Sequence, residues 1–183
     1  MRSQRVYRIL IIALLSILIQ GRICDGAELT LNNAPVQVYF SPNGGCSQAI
    51  VREIDAAKSQ ILVQAYSFTS RAIAKALMMA HKRGVTVEVI LDRSQTLEKY
   101  NPAKFLTNSK IPTFVDKNEG IAHSKIMIID GYTIITGSFN FTNAAEYKNV
   151  ENLLIIKSKN LAKLYIENWQ NRRQNSEPYS ILH

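Results

Sequence analysis

Between Ile121 and Glu146 the chain reads IAHSKIMIIDGYTIITGSFNFTNAAE, an apolar stretch carrying a few side chains able to do chemistry. His123 and Lys125 stand two residues apart, Asp130 follows, and Gly137, Ser138 and Asn140 come near its end. In an extended strand, residues i and i+2 share a face, so His123 and Lys125 are expected to project together, and Ser138 with Asn140. Lysine neutralises phosphoryl oxygens as a point charge. Serine and asparagine donate hydrogen bonds to them. Histidine near neutral pH serves as nucleophile or as proton carrier. Gathered on one edge, these side chains make a phosphate site by type. His123 taken alone would read as a structural histidine; its neighbours argue catalysis.

The flanking sequence must hold that edge in place. AHSKIMIID and YTIITGSF read as strands joined at Asp130-Gly131, a hairpin turn pair. A regular two-residue turn would put residue 123 near 138 and 125 near 136. Further strands are expected in PVQVYF, ILVQAYSF, VTVEVILD, IPTFVD and VENLLII. Helices are expected over 47–58, over RAIAKALMMAHKR behind a Ser70 cap, and over 160–174, where Leu161, Leu164, Tyr165 and Trp169 share a side. Residues 93–110 read as helical pieces broken near Pro102, and the tail from Asn175 as polar and frayed. Met78 and Met79 read as core, Arg93 as a backbone contact, and Ser67 or Thr69 as cleft-lining. Strands alternating with helices argue an α/β fold, a layered α/β/α sandwich, and the hairpin makes its sheet mixed.

The chain has 183 residues and a net charge of +8, which favours a polyanionic partner. Its start, with Arg2, Arg5 and Arg8 ahead of an apolar run from Ile9 to Ile19, reads as a signal peptide over 1–26, leaving one domain over 27–183. That run is short for a bilayer span. An uncleaved anchor is the other reading. Without residues 1–26, which hold four of the 22 lysines and arginines and one of the 14 acids, the charge is +5. Cleavage there leaves Cys46 alone, expected as an unpaired or buried thiol. No cluster of carboxylates or histidines has metal-ligand spacing, so no metal is expected.

The pattern His-x-Lys-x4-Asp-x6-Gly-Ser-x-Asn resembles the signature of the phospholipase D superfamily, and every position matches. DAAKSQILVQAYSFTS, ALMMAHKRGVTVEVILD and GSFNFTNAAEYKNVEN look like the small exported bacterial endonucleases of that superfamily, so the likeness covers essentially all of 27–183. The resemblance implies a phospholipase D-like fold and a phosphohistidine formed on His123. It implies that Lys125 and Asn140, helped by Ser138, bind the phosphoryl oxygens. Glu151, in NVENLLII, would orient His123, and Asp130 would tie down the lysine or the turn within the catalytic signature. The mechanism needs a second histidine and the chain holds one motif, so a homodimer is implied. The expected substrate is nucleic acid, DNA rather than RNA, with no cofactor, and the expected location is periplasmic or secreted. A lipid hydrolase acting on cardiolipin or another phospholipid is the competing reading, which an exposed apolar patch near the mouth would favour. A noncatalytic binder is disfavoured, because binding alone needs no histidine nucleophile.

Overall fold

The computed structural model describes residues 26–96 and 102–179. The expected signal peptide falls almost wholly outside the described residues. No helix among those residues is long and apolar enough to cross a membrane. The strands are β1 (Val36–Ser41), β2 (Gln60–Ala65), β3 (Thr86–Leu91), β4 (Thr113–Asp116), β5 (Lys125–Ile129), β6 (Thr133–Gly137), β7 (Glu151–Lys157) and β8 (Ser176–Pro178). The helices are α1 (Cys46–Ala56), α2 (Arg71–Lys82), α3 (Pro102–Asn108), α4 (Asn143–Tyr147) and α5 (Lys159–Gln174), with a 3-10 turn at Arg93–Thr96.

All eight strands join one sheet in the order β1-β7-β6-β5-β2-β3-β4-β8. The pairs β2–β3 and β3–β4 are parallel and the others antiparallel. Parallel strands need helical crossovers, and α2 and α3 provide them. α1, α2 and α3 cover one face of the sheet and α5 the other, and β2 and β3 read as nearly continuous apolar runs. Ile61, Val63 and Met127 point into the larger core, with Ile50, Ile54, Ile73 and Leu77 from α1 and α2. Leu62, Ile90, Ile128 and Ile134 point the other way, under Ala162 and Trp169 of α5. The Trp169 indole N–H donates to the Val63 carbonyl (3.0 Å), so its burial strands no donor. Ser70 caps α2 as expected, accepting from the Ile73 N–H.

Three expectations are corrected. The tail does not fray at Asn175: Ser176–Pro178 pairs with β4, and Pro178 is tolerated because β8 is an edge strand. Asp116 grips Arg172 of α5 through both carboxylate oxygens and ties that end down. Met78 is only half-buried and Met79 is 43% exposed, because α2 turns that side away from the sheet. The hairpin register differs by one residue. Asp130 and Gly131 do form the turn, both at positive φ, with the Tyr132 N–H on the Ile129 carbonyl. Tyr132 is the extra residue, so Ile129 faces Thr133 and Met127 faces Ile135. Extended along the strands, that register sets Lys125 opposite Gly137, not Thr136.

Asp130 lies at the far end of β5 from Lys125, about 16 Å away at strand rise. Its oxygens accept from the N–H groups of Lys58, Ser59 and Gln60 and from the Ser59 hydroxyl. Burial raises its pKa, but these hydrogen bonds outweigh burial and hold the carboxyl below the usual range. Such a group stabilises the fold above its unfolded pKa, and the contribution is lost as pH falls through the folded value. Asp130→Asn keeps a residue that tolerates positive φ and removes the charge. It is expected to cost about 2 kcal/mol in urea unfolding at pH 7. The gap to wild type should close below about pH 4. Folded variant should keep its turnover; loss of turnover at unchanged stability would return Asp130 to the active site.

Candidate active site

The carboxyl ends of β2, β3 and β4 and the adjoining end of the β5–β6–β7 meander form one edge of the sheet. His123 stands there as the second residue before β5 rather than within it, and it is exposed. Its backbone is held on both sides. The preceding Ala122 N–H donates to Asp92 (2.7 Å), and the following Ser124 carbonyl accepts from the Tyr66 N–H (2.8 Å). The Tyr66 ring lies 4.4 Å from the imidazole, tilted by 54°. Lys125 is only 6% exposed. Its ammonium donates to the His123 carbonyl (2.8 Å) and sits 4.8 Å from the centre of the Tyr66 ring. Desolvation lowers the Lys125 pKa, and the charge of nearby Glu151 partly restores it.

The other half of the site comes from the segment after β6. Gly137 has φ of 145°, and a Cβ there would meet the Asn152 carbonyl oxygen at 2.3 Å. That approach lets the N–H groups of Ser138 and Phe139 both bond the Asn152 carbonyl. The Ser138 hydroxyl accepts from Asn152 N–H (3.0 Å), so it shapes this turn, while its own hydrogen stays available to a ligand. Phe139 and Phe141 are fully buried anchors. Phe141 bridges to Phe68, and its carbonyl accepts from Thr69 and Ser70. Asn140 is held between these anchors, and its side-chain oxygen is buried without a hydrogen-bond partner among the described residues. That oxygen is an acceptor, so toward a phosphoryl oxygen only the amide N–H groups of Asn140 can serve.

His123, Lys125, Ser138, Asn140 and Glu151 thus share one sheet edge. Asp130 does not. Glu151 opens β7, takes a hydrogen bond from Asn149, and acts on Lys125 through space; no hydrogen bond joins it to the imidazole of the same chain. Sequence reading missed Tyr66, Asp92 and Gln95. Asp92 is 2% exposed and accepts from Ser94 and Ala122. Burial raises its pKa, yet those bonds and Arg93 bring it below the usual carboxylate range. Gln95 takes the Phe68 N–H (2.9 Å). The one signal was an aspartate at the end of the apolar run VEVIL. Arg93 donates to the Asn118 carbonyl. Cys46 is free and buried, and desolvation first, then Glu146, pushes its thiol up to about 11. Among the described residues, no three His, Cys, Asp or Glu side chains group as a metal site.

The family described as "Cardiolipin synthase, PLD-like domain" matches residues 50–173. The chain belongs to the phospholipase D superfamily. It is 43% identical over 143 residues to a phospholipase D of Rickettsia conorii, covering 78% of this chain and 72% of that one. Nuc from Salmonella typhimurium superposes with a TM-score of 0.77 at 41% identity, over 80% of this chain and 99% of that one. NucT from Helicobacter pylori shares the fold, with a TM-score of 0.74 at 22% identity, over 80% and 100% of the two chains. The protein is a phosphodiester hydrolase of this superfamily.

Because Gly137 lets the 138–140 segment press against Asn152, Gly137→Ala is expected to lose at least about 2 kcal/mol of stability through strain and overlap. Circular dichroism melts read the first effect. Activity per folded molecule should fall at least tenfold as Asn140 shifts. A variant with unchanged melting and turnover would show that the close approach is not needed.

Proposed function

We propose that the protein is an endonuclease that cleaves nucleic-acid phosphodiesters without sequence preference, through a phosphohistidine on His123, as a homodimer. The observation that carries this reading is the exposed imidazole of His123, set against Tyr66 beside the buried Lys125 ammonium. The His123 nitrogen attacks phosphorus, a P–N bond forms, and the P–O bond to the leaving strand breaks. His123 of the partner subunit protonates that leaving oxygen. Water then attacks phosphorus and gives its proton to the same partner histidine, and the P–N bond breaks. Lys125 and the donors of Ser138 and Asn140 offset the charge that grows on the phosphoryl oxygens. Lysine supplies here what a divalent ion supplies in two-metal sites, so the reading needs no metal. Nuc, 41% identical, supports a nuclease, and DNA is the proposed substrate. The charge of +5 on residues 27–183 fits it. Residues 1–26 are proposed to act as an export signal, which places the enzyme in a periplasm or outside the cell.

A second reading, hydrolysis of a phospholipid, is favoured by the name of the Rickettsia conorii relative and by a surface feature. Phe40, Tyr147 and Val150 are 67%, 62% and 89% exposed. They lie beside Glu151 on the active edge: Phe40 pairs with Asn152, and Val150 precedes Glu151. The homodimer would use the same patch as its seam.

His123→Ala should abolish cleavage of plasmid DNA and leave the melting temperature within a few degrees. Activity should persist in excess EDTA; loss restored by magnesium or zinc would sink the mechanism. Heterodimers of wild type with His123→Ala should be nearly inactive. Half activity in those heterodimers would mean that one chain completes the chemistry alone. Turnover of cardiolipin vesicles but not of plasmid would establish the second reading.

A further inference from the structure

We infer that the groove between α2 and α3 is a subsite for single-stranded nucleic acid, leading away from the active edge; this rests on the endonuclease reading. A cavity of about 370 Å³ opens there, lined by Arg71, Lys75, Met78 and Phe105. Its wall combines two cations with an apolar floor, and the floor includes an aromatic ring. α2 reads RAIAKALMMAHK and α3 reads PAKFLTN, so neither helix carries an acid. At 100° per residue, Arg71, Lys75 and Lys82 fall within about 40° of one another, and at 1.5 Å per residue they span about 16 Å. The acids of neighbouring α1 lie elsewhere or are engaged: Glu53 pairs with Lys157 (3.5 Å), and Asp55 sits at the α2 terminus away from the active site, where Arg83 bonds its carbonyl.

The stripe begins at the catalytic edge. Thr69 and Ser70, just ahead of α2, bond the carbonyl of Phe141, the residue after Asn140. A strand whose scissile phosphate lies over Lys125 and Asn140 can therefore continue past the start of α2 to Lys75 and Lys82. Cations that track a backbone beside an aromatic floor for bases are what single strands bind without sequence preference. A duplex offers no unpaired base to fill the concavity. A membrane surface calls for apolar side chains that project, whereas here Phe105 is half-buried and packs on the core. The expected order is then single strand over duplex, with phosphate contacts from α2 and base contacts from Phe105.

The test uses the full chain in a His123→Ala background for binding and the otherwise wild-type chain for turnover. Fluorescence anisotropy follows a 20-nucleotide oligothymidylate, a duplex of equal length and anionic phosphatidylglycerol vesicles across a salt series. Lys75→Gln with Lys82→Gln should weaken oligothymidylate binding about tenfold. It should also reduce the slope of log K against log salt by about 1.4, two counterions at single-strand density. Phe105→Leu should weaken binding with the slope unchanged. Both variants should hydrolyse a small chromogenic phosphodiester at the wild-type rate, because that substrate does not reach the groove. Unchanged oligothymidylate affinity, or an equal loss on the small diester, would overturn the proposal. So would a loss confined to vesicle binding, which would make the face a membrane surface. Failure of the endonuclease reading looks different: wild type itself would leave nucleic acid intact while cleaving the small diester.

Discussion

The site depends on a lysine taken out of water. A buried ammonium loses hydration that weak partners cannot replace, and among the described residues Lys125 has a carbonyl, an aromatic face and the through-space charge of Glu151. Desolvation lowers its pKa, and the charge of Glu151 opposes that shift. Such a cation is complementary to an anion. A phosphoryl group arriving at this edge meets a cation already desolvated and aimed, which costs no reorganisation at the moment of reaction. The same lysine holds the His123 carbonyl, so the cation and the residue that carries the imidazole are tied by one contact.

Holding that pair still requires β5 to be pinned at both ends, and two carboxylates do it. Asp92 grips Ala122 ahead of the strand, and Asp130, directly after it, grips the chain from Lys58 to Gln60. Each accepts backbone N–H groups and each is drawn below the usual carboxylate pKa in spite of burial. Charge-assisted bonds to backbone are among the stronger polar contacts, so they fix loops that apolar packing cannot reach. Asp130 can therefore belong to the signature while standing about 16 Å from the chemistry.

Much of this was legible. Strand and helix periods marked most elements, Ser70 marked a cap, and Asp130-Gly131 marked the turn. The spacing of His123, Lys125, Ser138 and Asn140 pointed to one shared edge of the sheet. What escaped was set by long-range backbone bonding. Tyr132 shifts the register by one residue, and no local pattern records it. β8 exists because β4 offers a free edge and Arg172 meets Asp116, 56 residues away. Tyr66 gave no sign of its role, since an aromatic at the end of a strand is usually core. Asp130 was read with the catalytic group because spacing cannot tell a residue that touches substrate from one that holds a turn.

One chain holds half of what the proposed chemistry asks for, and its surface has a matching imbalance. The active edge carries Phe40, Tyr147 and Val150 in the open, and the Asn140 side-chain oxygen there has no hydrogen-bond partner among the described residues. Exposed apolar groups around a site come either from a substrate with acyl chains or from a partner surface. Under the first, His123 would work with no proton donor of its own kind. Under the second, one event covers the apolar groups and brings the second imidazole. Twofold contact is self-complementary, so a patch beside His123 on one copy meets the same patch on the other and draws the two histidines toward a common axis. Seam and catalytic edge then share their residues, and a change that opens the seam also removes the acid that protonates the leaving group.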